Sequence, residues 1–333
     1  MSPTEVCITV DTEFSVGGVF TDPARARPVS ERIVRCEVDG EEQGLGFLLR
    51  TFADHGVHAT FFVEALNHCY FGDAPMAGIA RRILDAGQDV QLHVHPCWLE
   101  LRDGPPPAPR AANDSCAGRS AGELREILGV GLAAFERWGV PRPLAVRAGN
   151  LEADDALYAA MAEVGLPLAS NLGLALYTPP DPALALSGGR HLIHGVLELP
   201  VLSYTDLPLS KRRHRKLLTI TAASWPEIEA LLWGARRADI SPVVILTHPF
   251  EYIKHRDIEY TRLTRNRINQ ERLLRLCRFL RDHPEEFASV SFREGHQRWR
   301  AAGPGPAPDL TVPVAAALGR IAVNRLNDWI WPL

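Results

Sequence analysis

Apolar and polar positions along this chain fall into two alternating patterns. EVCITVDTEF, VHATFFVEA and DVQLHVHP read as strands, and DVQLHVHP alternates apolar and polar residues with the period of two. PLAVRAGN, PLASNLG, GVLELPVLSY, SPVVILTHPF and FASVSF extend the series to about eight. Between them apolar residues recur at helical spacing. GLGFLLRTFADHG and MAGIARRILDAG end in Gly56 and Gly87, the residues expected just past a helix. AGELREILGVGLAAFERWG follows Ser120, with Glu123 completing a capping box. DDALYAAMAEVG, SWPEIEALLWGARRA (Ser224 as cap, Pro226 in the first turn) and NQERLLRLCRFLRDH complete the helical set.

Strands that alternate with helices imply a parallel sheet. The expected fold class is α/β, a distorted (β/α) barrel of about seven or eight mostly parallel strands. A doubly wound open sheet is the rival, but no G-x-G-x-x-G follows the first strand. Residues 1–298 are assigned to the barrel. Residues 299–333 are assigned to a Pro/Gly linker and a C-terminal apolar helical tail, read as a strap across the barrel exterior. RDGPPPAPRAANDSCAGRS, at 102–120, reads as an irregular loop.

Composition narrows the classes further. Of 333 residues 46% are hydrophobic and 23% charged, and the formal net charge is −4. This balance supports a sizeable core and gives no bulk attraction to nucleic acid or a membrane surface. No run of ~20 apolar residues suits a membrane span. The first residues lack the basic and apolar regions of a secretory signal, and the six cysteines show no C-x-x-C spacing. Reduced thiols and a cytoplasmic location are the resulting expectation.

In parallel α/β folds chemistry collects at the C-terminal ends of the strands. Here four such ends carry polar residues: Asp11 and Glu13, His93 and His95, Arg147, and His248. Side chains two apart on a strand share a face, so Asp11 can align with Glu13 and His93 with His95. Singly, each has a duller reading as turn, cap, ion pair or strand end. Together they suit a divalent metal with a base beside it. Oxygen and imidazole donors fit zinc, iron, cobalt or nickel, with zinc the commonest in hydrolysis. KRRHRK at 211–216 reads as a solvated loop or a phosphate-contacting patch. Trp98, just past the histidines, either packs or offers a platform to a sugar ring.

These residues resemble the NodB-like polysaccharide deacetylases, carbohydrate esterase family four, over about residues 4–295. ITVDTEF, HATFFV, AGQDVQLHVHP, VRAGN and LTHPF resemble that family's motifs in order and spacing. The resemblance implies metal-dependent removal of an acetyl group from an N-acetylated sugar. It gives Asp11 the role of base, Arg147 that of orienting the base, and His248 that of acid at the leaving nitrogen. The family's pattern has adjacent aspartates and histidines four apart. Here Thr12 follows Asp11 and Cys97 stands in the second histidine position, which marks the chain as atypical. Glu13, His93 and His95 are therefore favoured as metal ligands, with Cys97 as the alternative thiolate. Trp98, Asn150, Arg212 and Arg213 are candidates for substrate contact. A cytoplasmic member would meet a sugar nucleotide, a lipid-linked glycan precursor or a small amino sugar. An amidase for a non-sugar C–N bond and a non-catalytic binding barrel remain open.

Overall fold

The computed structural model describes residues 2–207 and 214–330. Its centre is a curled sheet. The strands that build it are β1 (Thr4–Thr12), β2 (Thr60–Glu64), β3 (Asp89–Val94), β4 (Ala145–Ala148), β5 (Leu168–Ala169), β6 (His191–Ile193) and β7 (Val196–Glu198). A hairpin of β8 (Ser203–Leu207) and β9 (His214–Leu217) follows, then β10 (Val243–Thr247) and β11 (Phe287–Ser289). The path across the sheet is β10-β1-β2-β3-β4-β5-β7-β6, with β11 beside the first half of β1. Neighbours run parallel except β6 and β7. Bridges from Val201 to Val244 and from Thr219 to Leu246 bring the chain beyond β7 round to the free edge of β10. The sheet thus curls into the distorted (β/α) barrel that the alternation predicts.

Alternation along β1 explains what lies inside the ring. Val6, Ile8 and Val10 face outward into the large core beneath the helices. Cys7 points the other way, into a smaller inner core, and Thr9 and Asp11 continue its face. The floor of the ring is aromatic: Phe62 meets Phe292 edge-on at 5.3 Å, and Phe292 meets Trp299 at 5.7 Å. Above that floor the inner positions turn polar toward the strand ends, with Thr9, Asp11, Gln91, His93 and Arg147 all buried.

The helices are α1 (Leu45–His55), α2 (Ala74–Asp85), α3 (Ala121–Trp138), α4 (Asp155–Glu163), α5 (Trp225–Arg237), α6 (Arg267–Asp282) and α7 (Phe292–Ala302). The capping box expected at Ser120 forms, the cap expected at Ser224 closes a second box with Glu227, and Ser291 with Glu294 makes a third. Gly56 ends α1 at φ 64°, where a side chain is disfavoured.

PLASNLG yields only two strand residues, because Ser170 and Asn171 turn to polar partners. GVLELPVLSY divides into β7 and β8, with Pro200 between them. Two segments absent from the sequence-based reading fold over the rim. Residues 13–44 contain a short hairpin, and residues 249–266 another. Arg32 Nη1 donates to the Glu259 carbonyl at 3.1 Å, and Arg265 pairs with Glu41 at 3.0 Å, so the two segments are tied together.

The C-terminal segment contributes β12 (Leu310–Thr311), which extends the β8–β9 hairpin, and α8 (Val314–Ile330). Arg320 of α8 pairs with Asp206 and, at 3.0 Å, with Glu227, and both carboxylates are fully buried. Among the described residues no helix is long and apolar enough to cross a membrane.

Candidate active site at the strand ends

Arg147 stands at the centre of the polar column and is 0% exposed. Its guanidinium lies over the Phe62 ring, 4.2 Å from the centroid, so the aromatic floor supports it. Nε donates to the Ser170 carbonyl at 3.0 Å and Nη2 to the Ser170 hydroxyl at 2.8 Å. Nη1 reaches Thr9 Oγ1 at 3.0 Å and Asp11 Oδ1 at 2.6 Å. This is a short charge-assisted bond, and it fixes the aspartate while leaving Oδ2 free to face His93 Nε2 at 4.0 Å.

His93 and His95 follow on β3 and its continuation, two residues apart and on one face as predicted. Their rings meet edge-on at 4.8 Å. Glu13 Oε2 lies 3.2 Å from His93 Nε2 and 2.8 Å from His95 Nε2. His93 Nδ1 donates to the Arg147 carbonyl at 2.8 Å, and His95 Nδ1 to Asp114 Oδ2 at 2.6 Å. Each ring is thus anchored through Nδ1 and presents Nε2 to Glu13, the arrangement that metal-binding histidines share. One carboxylate oxygen and two imidazole nitrogens lie within 4.8 Å of one another. Their spacing and donor types suit a single divalent ion bound at ~2.0–2.2 Å. Burial opposes charge on both partners, yet their mutual attraction prevails. Glu13 is held well below the usual carboxylate range by His95 and His93, and Glu13 with Asp114 raises His95 well above its ordinary value.

Sequence reasoning missed Asp114. It sits in the Pro/Gly-rich run after β3, which carries no periodic signal. The structure threads that run back beneath the rim, where Asp114 Oδ1 accepts the Cys97 amide at 3.2 Å and Oδ2 accepts Asn150 Nδ2 at 3.3 Å. Gly149 was also unread. A Cβ there would lie 2.4 Å from His95 Cε1 and Nδ1, so only glycine lets the imidazole lie against the β4 backbone.

His248 ends β10 on the same rim. Its Nδ1 meets Glu251 Oε1 at 3.2 Å, and its ring stacks on Phe250 at 4.9 Å. Burial lowers its pKa, but Glu251, then Asp11 and Glu13, outweigh that and push it up to about 9. Glu251 is a second unread partner. Its Oε2 accepts from the His248 amide and the Thr247 hydroxyl, and so locks the turn.

The remaining candidates are placed as follows. Cys97 is buried behind His95, and together with His95 and Asp114 it forms a second possible donor group. Burial, with Asp114 beside it, pushes its thiol pKa far up. Trp98 is 1% exposed and packs on Phe71 at 5.7 Å and Tyr70 at 6.5 Å, so it is a wall and offers no open platform. Asn150 is exposed beside Asp114, at φ 56°. Arg212 and Arg213 lie outside the described residues. Of the described residues that follow them, His214 pairs with Asp206 at 2.6 Å and Arg215 with Asp309 at 3.4 Å.

No family model and no curated protein sequence matches this chain. Solved structures do. A protein from Mycobacterium smegmatis provisionally assigned as a polysaccharide deacetylase aligns at TM-score 0.57 and 19% identity, over 94% of this chain and 95% of its own. A family 4 carbohydrate esterase from Streptomyces lividans, in complex with acetate, aligns at TM-score 0.44 and 14% identity over 93% and 100%. At 19% identity the first likeness shows a common fold, and it agrees with the barrel resemblance seen in the motifs.

Proposed function

We propose that this protein is a metal-dependent hydrolase that removes the acetyl group from an N-acetylated amino sugar or glycan precursor. The observation that carries this reading is the convergence of Asp11 with the donor set Glu13, His93 and His95 on one rim of the barrel. The fold shared with the Mycobacterium smegmatis protein supports it.

Glu13, His93 and His95 would hold the ion, with zinc the best match for one carboxylate and two imidazoles. Such an ion supplies a Lewis acid for the acyl oxygen and a bound water whose pKa falls toward ~7. The protein's own residues supply the rest. Asp11, aimed by Arg147, takes the proton of the attacking water at Oδ2. Arg147 is fully buried behind Asp11, so it acts as a positioning residue. His248, with its pKa pushed up to about 9, carries a proton at neutral pH and gives it to the departing amine. Asp114 holds His95, and Asn150 holds Asp114.

A cytoplasmic setting accords with six unpaired cysteines, five of them buried. Sugar nucleotides, lipid-linked precursors and small amino sugars are then the substrates within reach, and Arg212 and Arg213 remain candidates for their phosphates. The test is metal content of the purified protein together with acetate release from N-acetylglucosamine and from its nucleoside-diphosphate form. About one transition metal per chain and acetate release abolished by chelator are expected. Protein with full metal that releases no acetate from either would refute the reading.

A further inference from the structure

The loop that joins the two strands of the hairpin within residues 249–266 carries Tyr260, which the proposed chemistry does not use. Its φ is 57°, a conformation that a bulky aromatic residue rarely adopts and that persists only where the surroundings fix it. Asp257 does so here. Its Oδ1 accepts the Thr261 amide at 2.7 Å, and its Oδ2 accepts the Thr261 hydroxyl and the Arg262 amide, each at 2.9 Å. The Tyr260 ring stacks on His255 at 4.4 Å, which sets its plane.

Tyr260 is only 8% exposed, yet among the described residues its hydroxyl has no hydrogen-bond partner. It borders a cavity of about 260 Å³ that opens beside the donor set, with Glu13, His95, Asp114 and Phe250 also on the lining. Burial pushes its pKa up to about 12, and Cys36 and then Glu13 add to the rise, so the phenol is neutral and lies within the field of the Glu13 carboxylate. Other polar groups of the lining are already engaged. Glu13 meets His93 and His95, Asp114 meets His95 and Asn150, and the Ser15 hydroxyl accepts the Gly17 amide.

Phe250 links this cavity to the proposed acid, because its ring borders the cavity and stacks on His248 at 4.9 Å. The group carried on the amine that His248 protonates therefore has the cavity next to it. A neutral phenol both donates and accepts hydrogen bonds. A ligand that covers it without offering a partner leaves a buried polar atom unpaired. A hydrocarbon ring has nothing to offer, whereas a ring hydroxyl of a sugar can do either.

We propose that Tyr260 is a specificity residue, whose hydroxyl bonds a ring hydroxyl of the amino sugar and so favours a hydroxylated ring over a bare alkylamine. This rests on the reading of the rim as a deacetylase of amino sugars. No covalent bond changes at Tyr260, and the Asp257 turn holds it in place for the contact.

The test is ligand-observed NMR titration of the full chain with N-acetylglucosamine and with N-cyclohexylacetamide, the same amide on a ring without hydroxyls. Tyr260→Phe keeps the ring and its stacking and removes only the hydroxyl. It should raise the Kd of the sugar by roughly 3–10-fold and leave that of the cyclohexyl amide unchanged. Asp257→Ala, which frees the turn and keeps the hydroxyl, should also weaken the sugar selectively. An unchanged sugar Kd in Tyr260→Phe, an equal loss for both ligands, or no binding of the sugar to the wild type overturns the proposal. A selective loss in Asp257→Ala alone would assign the preference to the loop and overturn the role of the hydroxyl. Acetate release from the sugar at wild-type efficiency by Tyr260→Phe keeps the deacetylase and rejects this contact. A sugar-selective loss of binding in a protein that releases no acetate keeps the contact and rejects the deacetylase.

Discussion

His93 donates its Nδ1 proton to the main-chain carbonyl of Arg147 at 2.8 Å, while the side chain of the same arginine holds Asp11 at 2.6 Å. One residue of β4 therefore sets both a candidate metal ligand and the candidate base. The two functions use different atoms of Arg147, which makes them separable by mutation.

Asp11→Asn keeps an oxygen for Arg147 Nη1 but removes the proton acceptor. Metal content should stay at the wild-type level. Turnover at saturating substrate should fall by roughly 10²–10⁴, the usual contribution of a general base. Elemental analysis and a rate measurement on the same preparation check both halves. Wild-type turnover would remove Asp11 from the chemistry.

The ligand set gives a second prediction. His93→Ala and His95→Ala should each weaken metal binding by more than ~100-fold, beyond the ~10–100-fold typical of an outer partner. Cys97→Ser should leave binding within a few-fold, since burial disfavours the thiolate that would coordinate. Competition against a chromophoric chelator measures all three. Loss of metal in Cys97→Ser with retention in His95→Ala would move the site to the second donor group.

The strand-end residues were legible because parallel α/β topology and a period of two leave little choice about where Asp11, Glu13, His93, His95, Arg147 and His248 point. The caps at Ser120 and Ser224 were legible for the same local reason. Asp114 was not, because nothing local distinguishes an aspartate in a Pro/Gly-rich run. Its role exists only once residues 102–120 return beneath the rim. Gly149 and Glu251 likewise owe their roles to neighbours set by the fold. The rim segments 13–44 and 249–266 escaped because their strands are two or three residues long, too short for any periodicity.

Gly149→Ala offers a third prediction. The added methyl would meet the His95 ring at 2.4 Å and force it from its place between Glu13 and Asp114. Metal affinity should fall about 10–100-fold, in line with loss of an outer-sphere constraint, and Asp114→Asn should fall by a similar amount. Thermal stability should change little in either, which separates this effect from unfolding. Unaltered metal affinity in the Gly149→Ala variant would mean that the rim yields more readily than its packing suggests.

Stability should also depend on pH through Glu198, which lies at the end of β7 and plays no part in the proposed chemistry. Burial pushes its pKa up to about 7 despite amide donors from Asn171 and Leu172 and the Tyr158 hydroxyl. A carboxyl with a folded pKa above its unfolded ~4.3 favours folding when protonated. Its contribution is complete below the unfolded value and is lost as pH rises through about 7. The loss is on the order of 3 kcal/mol by pH 8. Glu198→Gln should therefore gain on the wild type in urea midpoint between pH 5 and pH 8. Parallel curves for the two proteins would contradict the assignment.

The last prediction concerns how α8 is attached. Arg320 brings one cation to two carboxylates, Asp206 of β8 and Glu227 of α5, both fully buried. Glu227 also accepts from the Ser224 amide at 2.7 Å, so the same carboxylate caps α5 and anchors the C-terminal helix. Removing the cation would leave Glu227 without Arg320 and Asp206 with His214 as its remaining ion-pair partner. Breaking such a pair costs about 3–5 kcal/mol, far more than an exposed ion pair returns. Arg320→Met should then lower stability by that amount and speed proteolysis within 303–330, while metal content of the folded fraction stays unchanged. Replacing all three, as Arg320→Met with Asp206→Leu and Glu227→Gln, should recover much of the loss, because neither carboxylate is then left buried without Arg320. A triple variant as unstable as Arg320→Met alone would show that the ion cluster contributes through its geometry and that charge balance is secondary.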